Sequence, residues 1–411
     1  LLQRQSKTLE EAVARYTLKT GHPPPRYFAD WYRYVAAHRC LIDDYDQVDR
    51  DFQPFHTIAK ENPAFFQNMT RLAWMTLSSL RVHMKLNEPF SFSPHLPSMD
   101  LVFSESDAPR VVFDTTGPKP SKAELAPTDD IPFHVSPNPS IPFFEERPGC
   151  TVPTADGSLA DVSCASLTFP PPEFTTDLYP VLSKAKLRNP GCFADILVPH
   201  QASAYAYSCQ LIKPTAGVLY SLITGNHWRG QATGGRIRGT NYLRFPRFRL
   251  VDLARSHPAL FDVGFTSFYH YNCVATDCNS VEILAAYNID PLAAYNIDKG
   301  MGVEVYEFKY ALDVDGNTSS KDFLKLLRSG SLVFQSTAFI EFFSDWLVPY
   351  VHYIPVRPDL SDLVKRIEWA MQNDAETRSI QEAGQAMAQY LLTDWQINCY
   401  IYRVGVEWGE L

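Results

Sequence analysis

Apolar positions recur at helical spacing in LEEAVARYTLKT (9–20) and NMTRLAWMTLSSLRVHMKL (68–86), which predicts helices within the first 90 residues. MDLVFSES (99–106) is apolar at its centre and polar at its end, the pattern of a strand. From 118 to 180 the periodicity breaks: 13 of the chain's 31 prolines fall there, interleaved with Phe and Tyr. That composition predicts an irregular, functional excursion in place of a flexible linker. Beyond residue 210, strand and helix patterns alternate. GVLYSLITG (217–225) reads as a strand, followed by an arginine-rich loop, the helix RFRLVDLARSHP (247–258) behind Pro246, and the strand FDVGFTSF (261–268). EFKYALDV (307–314) reads as a strand, DGNTSS as a turn and KDFLKLLRSG (321–330) as a helix stopped by Gly330. SLVFQS and VHYIPV read as strands, and two helices are expected to close the chain. Such alternation implies a parallel sheet covered on both faces. AAYNIDPLAAYNID (285–298) repeats one hexapeptide and reads as a local duplication in a surface loop.

At 411 residues the chain exceeds what one core supports, so two domains are expected. A formal net charge of −9 argues against bulk binding to nucleic acid. Against that background HWRGQATGGRIRGTNYLRFPRFR (227–249) carries six arginines and no Asp or Glu. It is a local device for an anion, since Arg offers a planar fork suited to phosphate or carboxylate. No apolar run reaches the 18 or so residues of a membrane helix. Because the chain begins LLQRQ, a signal or anchor is expected upstream.

The eight cysteines form no CxxC and no zinc spacing. Cys150 with Cys164 and Cys273 with Cys278 read as loop staples in an oxidising compartment, with buried free thiols as the alternative. Asn68-Met69-Thr70 is a glycosylation sequon that points to the secretory route. Asn317-Thr318-Ser319 is a second, in a loop better suited to a ligand.

Ligands of parallel sheets bind beyond the strands' carboxyl ends, and three such ends carry chemistry. Gly230-Gln231-Ala232-Thr233-Gly234-Gly235-Arg236-Ile237 nearly forms a P-loop, but Arg replaces its Lys and Ile its magnesium-binding hydroxyl. Triphosphatase chemistry is thereby disfavoured, while a diphosphate cradle remains; arginines paired to acids are the alternative. Asp315-Gly316-Asn317-Thr318-Ser319-Ser320 joins a strand to a helix, where Ser319 or Ser320 could cap or donate. Asp313-Val314-Asp315 has the look of a metal-holding DxD, although ordinary turn chemistry explains Asp-Gly-Asn. Asp107 ends the 99–106 strand, either as a base for an incoming hydroxyl or as a solvated turn residue.

Long blocks of the chain resemble glycosyltransferase family 90 in its fungal, capsule-associated branch, a family that also holds the Rumi-type protein O-glucosyltransferases. They are WYRYVAAHRCLIDDYDQVDRDFQPF, LPSMDLVFSESDAPRVV, HWRGQATGGRIRGTNYLRFPRFRLVDLARSHP, KYALDVDGNTSSKDFLKLLRSGSLVF and DWLVPYVHYIPVRPDLSDLVKRIEWAMQND. The resemblance implies a metal-independent, inverting enzyme of the α/β GT-B fold, with two Rossmann-like domains facing a cleft. An acceptor-side domain would span 1–210 and a UDP-sugar domain 211–380, with terminal helices (381–411) packing back on the first. Asp107 would be the catalytic base. Arg229, Gly230, Thr233, Gly316, Ser320, Lys321 and Glu341 would hold the donor, Arg229 as the phosphate arginine. No metal or cofactor is expected. One departure stands out: where relatives carry a second phosphate arginine, this chain has Asp322, with Lys321 one place earlier.

The reaction implied is transfer of xylose or glucose from a UDP-sugar to a glycan or glycoprotein hydroxyl, in the secretory lumen, on a Golgi protein with an N-terminal membrane anchor. Two rivals remain: a UDP-sugar- or glycan-binding protein impaired in catalysis, favoured by Asp322, and a two-carboxylate glycoside hydrolase, which leaves the arginines unexplained.

Overall fold

The computed structural model describes residues 2–61, 66, 80–82, 96, 99, 101–104, 108–112, 135–137, 173–175, 178–188, 192–199, 223–290, 308–391 and 393–411. Asp107, Asn68, Cys150, Cys164 and most of the proline-rich stretch lie outside the described residues.

The amino-terminal part opens with helices α1 (Leu9–Thr20), α2 (Phe28–Ala37) and α3 (Asp46–Glu61). Thr8 caps α1 by accepting the Glu11 N–H, and Gly21 ends it at φ 77°, so the predicted helix has its predicted limits. Strands β1 (Leu80–Val82), β2 (Val102–Ser104), β5 (Leu182–Ser183) and β7 (Ile196–Leu197) form a four-stranded sheet in the order β1-β2-β5-β7. β1 is antiparallel to β2, while β2–β5 and β5–β7 are parallel. Residues 80–82 were expected to be helical; their pairing with β2 makes them strand. β3 (Val135–Pro137) and β4 (Glu173–Thr175) form a separate antiparallel pair.

The second part is built on a five-stranded, all-parallel sheet. Its strands are β8 (Ile223–Ala232), β9 (Phe261–Phe268), β10 (Phe308–Val314), β11 (Leu332–Ser336) and β13 (Ile354–Val356), in the order β13-β11-β10-β8-β9. Helices α4 (Pro246–Ser256), α5 (Ser280–Tyr287), α6 (Phe323–Ser329), α7 (Leu363–Gln372), α8 (Asp374–Leu391) and α9 (Asp394–Trp408) complete it. The chain is thus mixed α/β with a parallel sheet. Pro246 sits in the first turn of α4, where its missing N–H costs nothing.

Three expectations are corrected here. Among the described residues three helices, not two, close the chain. The first copy of the repeated hexapeptide is no surface loop: it ends α5, with Asn288 in the left-handed region and Tyr287 and Ile289 buried. The expected arginine loop begins as strand, since β8 runs through HWRGQA.

A two-stranded ribbon links the parts: β6 (Ala185–Leu187) pairs antiparallel with β12 (Phe339–Glu341), setting Glu341 opposite Ala185. α9 returns to the amino-terminal helices and is tied there by the Cys40–Cys399 disulfide. Cys273–Cys278 forms the short staple that spacing predicted, and Cys192 is also disulfide-bonded.

Candidate active site

The carboxyl ends of β8 and β10 lie side by side, so Thr233 and Gly316 meet there. A Cβ added at Gly316 would stand 2.8 Å from Thr233 Oγ1 and 3.0 Å from Arg247 Nη2. A larger residue there would push the Thr233 hydroxyl and the Arg247 guanidinium aside. Arg247, in the first turn of α4, binds both strand ends. Its Nη1 donates to Thr233 Oγ1 (2.9 Å) and Gln231 O (3.0 Å), and its Nε to Asp315 O (3.1 Å). The sequence reading passed over this arginine among six. The available signal was PRFR: Pro at the helix start places Arg247 in the first turn of α4.

Arg229 lies elsewhere. It is within β8, and its fork is taken by β9: Nη2 donates to Asp262 Oδ1 at 2.5 Å and Nη1 to Asp262 O at 2.7 Å. His227 Nδ1 stands 3.1 Å from the other Asp262 oxygen. Partial burial opposes ionisation of Asp262, yet Arg229 and His227 hold its carboxyl below the usual range. Gly230 faces Trp228, whose ring would stand 2.5 Å from an added Cβ. Arg229 and Gly230 therefore shape β8, and Arg247 bridges the Thr233–Gly316 junction.

Three carboxyls crowd this junction. Asp313 and Asp315 are buried, and that burial pushes each up to about 7. Ser320 and Gln335 bond the Asp313 carboxyl and partly offset the rise. Glu341 keeps some exposed surface, but its carboxyl sits deep among protein atoms and is raised well above the ordinary range, the two aspartates adding to the rise. Ser319 bonds Glu341, and the Lys321 charge favours its ionised form. Ser320 thus meets Asp313, and Lys321 and Glu341 act on one another beside the two aspartates. Among the described residues no group of three His, Cys, Asp or Glu is placed to hold a metal ion. Asp322 is half-exposed and 3.4 Å from Lys325.

A carboxyl raised on folding keeps a proton that the unfolded chain has lost, so stability falls as pH rises from about 4 to about 7. Asp313→Asn removes this cost. Its folding free energy at about pH 8 is expected to exceed wild type by about 2–4 kcal/mol, the scale of a shift of some three pH units shared between coupled groups. Near pH 4 the two proteins should coincide. Denaturant titrations at both pH values check this, and equal stability at pH 8 would refute it.

Human protein O-glucosyltransferase 3 is 27% identical over 222 residues, covering 53% of this chain and 40% of the relative. Zebrafish (Danio rerio) protein O-glucosyltransferase 2 is 31% identical over 190 residues, 46% of this chain and 35% of its own. Rat (Rattus norvegicus) protein O-glucosyltransferase 1 is 38% identical over 165 residues, 39% of this chain and 38% of its own. The aligned part spans about two fifths of these relatives' length. Glycosyl transferase family 90 matches residues 194–411, which include the whole parallel sheet, Arg247 and the three carboxyls. The chain belongs to glycosyl transferase family 90.

Proposed function

We propose that this chain is an inverting, GT-B-type glycosyltransferase that moves glucose or xylose from a UDP-sugar to a glycoprotein or glycan hydroxyl without a metal ion. The observation that carries the reading is Arg247 between the carboxyl ends of β8 and β10, beside Thr233 and Gly316. Beyond the strand ends of a parallel sheet, a guanidinium and the backbone N–H groups of a glycine loop suit a diphosphate. The acceptor oxygen attacks the anomeric carbon as the bond to UDP breaks. Asp107 takes the hydroxyl proton, and Arg247 with the loop N–H groups stabilises the departing diphosphate. Arg247 also supplies the cation that Asp322 cannot. The names of the relatives favour glucose, and the disulfides suit the secretory lumen.

UDP is expected to stabilise the protein equally with and without EDTA, by about 2.7 kcal/mol at a hundred times Kd. Arg247→Ala should weaken UDP binding roughly 10–100-fold, the scale of a charge-assisted hydrogen bond, with Arg247→Lys in between. Stabilisation that vanishes with EDTA would restore a metal to Asp313 and Asp315. Turnover of UDP-glucose or UDP-xylose separates this reading from a binding protein impaired at Asp322, which would bind UDP without transfer.

A further inference from the structure

Three N–H donors converge on one oxygen beside this junction. Gly234 N reaches Asn317 Oδ1 at 3.1 Å, Gly235 N at 2.9 Å and Asn272 Nδ2 at 2.9 Å. A neutral amide oxygen has two lone pairs, so the set is oversubscribed. A phosphate oxygen, charged and richer in lone pairs, is the better match for three donors. The backbones that carry these donors are also held by contacts other than Asn317, whose Nδ2 in turn donates to Asn272 Oδ1 at 3.3 Å. Asn272 is 0% exposed, and its backbone carbonyl accepts Ile237 N–H at 2.8 Å. It directly precedes the Cys273–Cys278 staple, and Asp277 within that staple pairs with Arg236 at 2.6 Å. Gly234 is pressed against Phe245, 2.6 Å from where a Cβ would stand, at φ 157°. Asn317 is only half-buried, on the loop that follows β10, next to Gly316 and hence to Arg247.

We infer that Gly234 N–H, Gly235 N–H and Asn272 Nδ2 form an oxyanion cup for a phosphate oxygen, and that the Asn317 carboxamide plugs it. The inference rests on the proposed reading that a nucleoside diphosphate binds at this junction. An incoming phosphate displaces the carboxamide oxygen and takes over its three donors. Asn317 is therefore a competitor of the ligand, and its sequon is folded into the site instead of being presented to solvent.

A brace and a plug predict opposite signs. If Asn317 only pins the glycine loop, shortening it loosens the site and weakens anion binding; if it is a plug, shortening it frees the cup. Calorimetric titration with inorganic pyrophosphate and with UDP is made on wild type, Asn317→Ala and Asn317→Ser, each first shown to be folded by circular dichroism. Both variants are expected to bind pyrophosphate about 3–10-fold tighter than wild type, the factor set by one net hydrogen bond no longer contested. Weaker or unchanged pyrophosphate binding in the folded variants overturns the plug, as does a failure of all three proteins to bind it. Pyrophosphate binding without UDP binding, tightened by the truncations, would uphold the cup while sinking the nucleotide reading.

Discussion

Replacing Arg403 by Met is expected to destabilise the fold by about 3–5 kcal/mol, the cost of stranding buried charges. Arg403 is 1% exposed on α9 and enclosed by rings of the amino-terminal helices: its guanidinium carbon lies 5.1 Å from the Tyr16 ring centre, 5.4 Å from Trp31 and 5.7 Å from Phe28. Its Nη2 donates to Asp49 at 2.7 Å and its Nη1 to Glu407. Glu407 also accepts Tyr16 O–H at 3.0 Å and lies 2.7 Å from His56 Nε2. Burial works against the Glu407 charge, but Arg403 and His56 outweigh it and hold the carboxyl down to about 2. Asp49, where burial wins, is pushed up to about 6. Without Arg403 the Glu407 carboxylate keeps only a phenol and an imidazole. Urea titration under oxidising conditions measures the loss, with Cys40–Cys399 intact in both proteins. A loss below about 1 kcal/mol would mean that the network is wet and weakly coupled. Adding Glu407→Gln and Asp49→Asn should recover much of the stability, because removing every charge together avoids the unpaired ones.

The network explains which features were legible in the sequence. α1, α4, β9 and β10 follow from local pattern: a capping Thr8, a Pro at the first turn, and apolar runs bounded by turns. HWRGQA did not read as strand because only Trp228 and Ala232 in it are apolar and Gly230 interrupts the run. β8 exists because β9 and β10 bond it on both sides, and because Trp228 is buried and His227 stacks on Phe308 at 4.4 Å. That is tertiary pairing overriding propensity. Spacing revealed Cys273–Cys278, five residues apart, and could not reveal Cys40–Cys399, 359 apart. Resemblance drew attention to Gly316, Ser320, Lys321 and Glu341. It singled out Arg229 among the six arginines; the structure shows Asp262 taking Arg229 and the turn into α4 bringing Arg247 to Thr233.

Asp107→Asn is expected to lower transfer about 10²–10⁴-fold, the usual contribution of a positioned base, and to leave UDP affinity unchanged. Asp107 lies outside the described residues, but its two flanks are held tightly. Upstream, β2 ends at Ser104, whose Oγ accepts Arg110 Nε at 3.3 Å. Downstream, the buried Asp195 accepts the N–H groups of Arg110 (2.7 Å) and Val111 (2.9 Å) and the hydroxyl of Ser183 (2.6 Å). Lys186 bonds Asp195 O at 2.7 Å and Asp51 at 2.6 Å, joining this clamp to α3. Asn keeps the shape of Asp and cannot take the proton, so kcat should fall with KM for the donor nearly constant. The measurement is initial-rate transfer from UDP-glucose or UDP-xylose to a glycoprotein acceptor, with UDP affinity by calorimetry on the same sample. Wild-type turnover in Asp107→Asn would remove this residue from the base role and direct the search to the raised carboxyls Asp313, Asp315 and Glu341.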